Sequence, residues 1–97
     1  MIKRIVKLTF QEDKTADFRA IFESSKTEIR NFEGCHHVEL LRAHSPENVF
    51  FTFSIWENEE ALEQYRHSEL FQTTWNKTKA LFSDKPYAWT VDLISEG

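Results

Sequence analysis

Glycine, proline and cysteine are all scarce: 97 residues hold two glycines, two prolines and one cysteine. So few chain breakers leave no flexible linker and no low-complexity tract, and no repeat is present, which suits one domain over residues 1–97. The lone Cys35 excludes an intrachain disulfide and a cysteine-built metal site, and makes a reducing, cytoplasmic setting the default. Basic runs are missing as well. The 12 Lys and Arg are scattered among 16 Asp and Glu, for a formal net charge of −4. Nucleic-acid binding needs a concentrated basic face, so it is not expected. No apolar run approaches the ~18 residues of a membrane span. The opening MIKRIVKLTF also lacks the apolar centre of a signal peptide. There is no glycine-rich phosphate loop, no G-x-S-x-G elbow and no H-E-x-x-H.

What the chain has in excess is aromatic area: nine Phe, three Trp and two Tyr. Each such ring buries a large surface, which rules out disorder. One small core cannot hide all of it, so a partner subunit or a pocket is expected to take the surplus.

Hydrophobic periodicity divides the chain into alternating elements. Residues 2–10 alternate as a strand, with Ile2, Val6, Leu8 and Phe10 on one side and Lys3, Ile5, Lys7 and Thr9 on the other. From Lys14 the period becomes helical, with Phe18, Ile21, Phe22, Ser25, Ile29 and Phe32 as the stripe. Gly34 suits a left-handed stop. Residues 35–44 are extended, with Val38 and Leu40 on one face and Cys35, Leu41 and Ala43 on the other. The turn Ser45-Pro46-Glu47-Asn48 joins them to VFFTFSIW (49–56), the strongest strand signal in the chain. Asn58 is a plausible N-cap for a helical region from Glu59 to Phe82, with a break near His67-Ser68 where Ser68 caps a second helix. Pro86 ends that region. Residues 87–94 form a last strand, with Tyr87, Trp89, Val91 and Leu93 on one face.

The order β-α-β-β-α-β is the split, ferredoxin-like arrangement: an α+β fold with a four-stranded antiparallel sheet and its helices on one face. The opposite sheet face is expected to carry Ile5, Leu41, Phe50 and Trp56. An apolar open face of this kind calls for a cover, which a symmetric dimer would supply.

The pattern Phe53…Trp56…Leu62…Tyr65…Ser68…Phe71…Trp75, with Thr78-Lys79-Ala80-Leu81-Phe82 and Lys85-Pro86 after it and Gly34-Cys35 before the second strand, resembles the antibiotic biosynthesis monooxygenase family. The resemblance runs over nearly the whole chain and is most specific in residues 56–86. It implies a ferredoxin-like protomer that dimerises into an α+β barrel, with a pocket between sheet and helices. It also implies one of several activities: oxygenation of quinol-like phenols without a bound cofactor, haem degradation, or none assigned. Haem-degrading members have an Asn, a Trp and a His where this chain has Val6, Tyr65 and Trp75. Trp75 offers an indole N–H and no lone pair for iron, so haem degradation is disfavoured.

Phe71, Trp75, Thr78 and Phe82 fall at i, i+4, i+7 and i+11, one side of a helix. Such a stripe is first of all a core face, with Phe71 and Phe82 as core and Tyr65 and Trp75 as pocket wall. The full wall is expected from Val6, Phe22, Trp56, Tyr65, Phe71 and Trp75. In the oxygenase reading the substrate's own carbanion or phenolate passes an electron to O₂, and the protein supplies a dry cavity with few hydrogen bonds. Tyr65 would orient the substrate or relay a proton, Trp75 and Trp56 would stack or donate, and His37 or His67 would be the base. His36 and His37, neighbours on a strand, point to opposite faces and cannot chelate one ion. Glu63 and His67, at i and i+4, are too few for a metal site. Cys35 has no base placed beside it by the sequence and reads as a small buried residue. The ligand is expected to be small and aromatic or hydrophobic; the alternative is a non-catalytic binding or structural dimer.

Overall fold

Residues 1–97 are described by a computed structural model. The strands are β1 (Ile2–Thr9), β2 (Cys35–Arg42), β3 (Val49–Trp56) and β4 (Tyr87–Val91). The helices are α1 (Thr15–Arg30), α2 (Glu59–Arg66) and α3 (Glu69–Lys79), with a short 3-10 turn at Glu12–Lys14 before α1. The sheet is antiparallel throughout, in the order β2-β3-β1-β4. This is the ferredoxin-like α+β architecture, and within one chain the sheet is open, with β2 and β4 as edges.

Register decides which side chains meet the helices. Ile2 lies opposite Trp56, Arg4 opposite Ser54, Val6 opposite Thr52 and Leu8 opposite Phe50. Cross-strand partners share a face, so the even positions of β1 and β3 turn together toward the helices. This corrects the expectation for β3. Phe50 and Trp56 are each 1% exposed, packed under the helices rather than on the open face. The open face is carried instead by Phe51, Phe53 and Ile55 beside Ile5, with Leu41, Tyr87 and Trp89 on the flanking strands. VFFTFSIW carries aromatics at both parities, and its two polar residues, Thr52 and Ser54, share the parity of Phe50 and Trp56 that faces the helices, so its own pattern misdirects and pairing with β1 decides the face.

Cys35 moves for a different reason. The register slips between Cys35 and His37, so the single residue His36 bulges out. A bulge reverses the alternation, and Cys35 faces the helices against Trp56 and Leu62 instead of sharing the face of Leu41.

Helix caps follow the sequence. The Asn58 side chain accepts the Ala61 N–H at 2.9 Å, and the Ser68 hydroxyl accepts the Phe71 N–H at 3.1 Å. Gly34 has φ +87, the left-handed conformation expected of it. Four ends are shorter than the periodicity suggests: β1 stops at Thr9, β2 at Arg42, β4 at Val91 and α3 at Lys79. Phe82 lies beyond α3, where it bridges to Phe10, itself just past the end of β1.

Two buried clusters result. Leu8, Phe10, Phe18, Phe22 and Phe50 form one, with Phe10 and Phe18 stacked at 4.2 Å. Cys35, Trp56 and Leu62 form the other. No helix is long and apolar enough to cross a membrane.

Candidate functional site

Between these clusters, lined by the sheet and the helices and partly open to solvent, lies a cavity of about 310 Å³. Its floor is the inward face of β1 and β3: Arg4, Val6 and Leu8 with Thr52, Ser54 and Trp56. Its wall is Phe22 of α1, Tyr65 and Arg66 of α2, and Phe71, Thr74 and Trp75 of α3. All six residues expected to form a pocket wall, Val6, Phe22, Trp56, Tyr65, Phe71 and Trp75, line this one space.

The wall owes its shape to the break between α2 and α3. Besides capping α3, the Ser68 hydroxyl donates to the Tyr65 carbonyl at 2.6 Å. One side chain therefore ties the last turn of α2 to the first turn of α3. Tyr65 and Phe71 then meet edge to face at 5.3 Å. The rings continue both ways: Tyr65 stacks on Trp56 at 4.9 Å, and Phe71 on Trp75 at 5.8 Å with only 10° between planes. Aromatic pairs of this kind add stability beyond their burial.

Polar tips decide what the cavity can do. The Trp56 N–H donates to Ser54 Oγ at 3.0 Å. Its expected role as a ligand donor is therefore taken within the protein, and stacking is what remains. The Tyr65 hydroxyl and the Trp75 N–H have no protein partner, yet neither is a sealed orphan. Both residues line the cavity, and the Tyr65 hydroxyl is largely buried beside it. Burial, reinforced by Cys35, pushes the Tyr65 phenol well above its ordinary value of 10.0. At neutral pH Tyr65 is thus a proton-bearing donor and not a base.

The histidines lie elsewhere. His67 is on the outside of α2, its side chain 78% exposed and 3.4 Å from Glu63. His37 is on the open sheet face, bonded to Glu39 at 2.6 Å and set against Phe53. Neither touches the cavity, which corrects the expectation that one of them serves as base inside it. The neighbouring His36 pairs with Glu57, so the two rings go to separate carboxylates. The Cys35 thiol is pushed up by burial, against the opposing pull of the His37 backbone and of Arg30. That is the reverse of what a nucleophile needs.

Arg4, Arg66 and Thr74 were not among the expected wall residues. Arg4 has the same even parity as Ile2, Val6 and Leu8, but its charge argues for the outside and hides it. Arg66 had no signal, because a charged residue ending a helix is ordinarily solvated.

The model of the antibiotic biosynthesis monooxygenase family matches residues 1–77. The chain belongs to this family. Solved structures share its fold at low identity. One from Caulobacter crescentus, provisionally named an antibiotic biosynthesis monooxygenase, superposes with a TM-score of 0.90 at 20% identity, covering 97% of this chain and 90% of that one. Rv0793 from Mycobacterium tuberculosis gives 0.88 at 17%, covering 98% and 96%. A conserved protein from Methanosarcina mazei gives 0.89 at 17%, covering 93% and 89%. At such identities the likeness speaks for the fold alone. No curated protein sequence matches the chain.

Proposed function

We propose that this family member is a monooxygenase working without a bound cofactor on a small aromatic, quinol-like compound held in the cavity. The observation that carries the reading is the cavity's makeup. A mostly apolar space walled by Tyr65, Phe71 and Trp75 has, in Tyr65 O–H and Trp75 N–H, two donors that no protein group uses. An aromatic ligand would stack on the Phe71 and Trp75 rings and present an oxygen to Tyr65. The protonated phenol suits an oxygen that gains negative charge as the substrate gives an electron to O₂. For an anthrone the balance is complete without other reagents: the methylene becomes a carbonyl, one oxygen atom enters it, and the other leaves as water. The active unit in this reading is a homodimer joined through the open faces of two sheets.

A second reading, a ligand-binding or structural dimer without turnover, is favoured by one observation. No His, Asp or Glu lines the cavity, so no ordinary base is at hand. O₂ uptake with a panel of quinols and anthrones separates the two. The first reading expects saturable uptake by the wild-type protein and clear loss in Tyr65→Phe. Tight binding with uptake no faster than in buffer selects the second.

A further inference from the structure

The cavity is mostly apolar, has no carboxylate in its lining, and yet two arginines stand on its wall, Arg4 and the partly exposed Arg66, whose side chain is 42% exposed. Arg4 rises from the middle of β1 on the helix-facing side, and Arg66 comes from the last turn of α2. Such placement is unusual for arginine, because β1 has an outward face that already carries Lys3 and Lys7. One Arg4 nitrogen donates to Thr90 Oγ1 of β4 at 2.9 Å. Guanidinium has five N–H donors in a fixed fork, so most of Arg4 remains unspent. Arg66 is held at 2.8 Å by Glu63 and also feels the charge of Arg4.

The local charges do not cancel. Around the cavity end stand two guanidiniums, Arg4 and Arg66, and one carboxylate, Glu63, which points outward with its side chain 51% exposed. His67 also contacts Glu63 and adds no negative charge. One positive charge is left over, inside a chain whose formal net charge is −4. Burial, then repulsion from Arg66, lowers the Arg4 pKa from its ordinary value, while Glu63 opposes this. The guanidinium is thus partly shielded from water and sits near a like charge. An anion beside it would offset both costs.

We propose that the cavity takes its ligand as an anion, an aromatic phenolate, enolate or carboxylate whose charged oxygen lies at the Arg4–Arg66 end. This rests on the reading of the cavity as the substrate pocket and deepens it. It also supplies what the lining otherwise lacks. With no base present, the two cations favour the ionised form of an acidic phenol, and its proton leaves to solvent. The flat remainder of the ligand then lies along Phe71 and Trp75.

The test uses two probes of one shape, 7-hydroxycoumarin, which ionises, and 7-methoxycoumarin, which cannot. Binding of each is followed by fluorescence, and the bound pKa of the hydroxy probe by its absorbance. The expected result is a bound pKa lowered by about one unit or more, equal to about a tenfold preference for the anion. That shift should shrink in Arg66→Gln, vanish in the Arg4→Gln/Arg66→Gln double variant and fall with salt. Affinity for the methoxy probe should be unchanged in each variant, which also verifies that the pocket is intact. An unshifted pKa in the wild type, with both probes bound, overturns the anion inference and leaves the pocket reading standing. A shift that survives in the double variant, with methoxy binding intact, overturns it as well. Failure of both probes to bind the wild type overturns the pocket reading and this inference together.

Discussion

Tyr65 is held by its ring and left free at its hydroxyl. Trp56, Phe32 and Phe71 pack around the ring, and no protein group uses the O–H. Removing that oxygen should therefore leave the fold alone and act on the ligand. Tyr65→Phe is expected to keep the thermal midpoint within a few degrees while lowering kcat/KM for a quinol substrate about tenfold or more, the scale of one lost hydrogen bond. Burial also makes a prediction about pH. The folded phenol ionises above the ordinary value, so between about pH 10 and its raised pKa the unfolded chain gives up a proton that the folded chain keeps. Stability from this group is complete below about pH 10 and is lost as pH rises further. In a Tyr87→Phe protein, where Tyr65 is the only tyrosine, tyrosinate absorbance should appear well above pH 10, together with unfolding. Gly34 is the other residue whose identity is forced. A Cβ there would stand 2.5 Å from the Ala61 Cβ, on a backbone at φ +87. Gly34→Ala should cost about 1–3 kcal/mol by denaturant unfolding. Both residues announce themselves in the sequence, Gly34 by its place after a helix and Tyr65 by family pattern. Arg4 does not, because placing a charge on the inward parity of a strand contradicts the rule that reads the strand.

Among the elements, the break between α2 and α3 matters most for the site. Ser68 caps α3 and bonds back to Tyr65, so Ser68→Ala removes two contacts with one atom. The expected cost is about 1 kcal/mol. Because the same atom sets the Tyr65–Phe71 angle, ligand affinity should fall along with stability, whereas Asn58→Ala should cost a similar amount with affinity unchanged. Calorimetric unfolding and probe titration of the two variants check this. The sequence shows both caps, since each is a polar side chain just ahead of a helical period. It does not show the inward face of β3. Both parities of VFFTFSIW hold aromatics, Thr52 and Ser54 fall on the inward one, and the choice rests on long-range pairing with β1. The bulge at His36 is hidden for a similar reason: Cys35, His36 and His37 carry no periodic signal that a missing half-step would disturb.

At the scale of the molecule, the open sheet face is the unfinished part. Trp89 is 48% exposed, Leu41 46% and Tyr87 45%, with Phe53 and Phe51 between them. An aromatic and aliphatic surface on one side of a small sheet, interspersed with Lys3, Lys7, His37 and Glu39, suits a second copy of the chain. A charge at its centre should prevent that. Phe53→Glu is expected to sediment as a monomer at micromolar concentration where the wild type sediments as a dimer; a wild-type monomer would count against this assembly. Charge patterning and aromatic excess made such a surface foreseeable, while its membership, Phe51, Phe53 and Ile55 in place of Phe50 and Trp56, needed the register. The cavity stands on the other side of the same sheet, and its chemistry is the central claim. The direct measurement is turnover of an anthrone under isotopically heavy O₂, with no cofactor added. The account predicts product carrying one heavy oxygen, formed far faster than in buffer and much more slowly by Tyr65→Phe. Product formed at the uncatalysed rate, or with its new oxygen drawn from water, would contradict it.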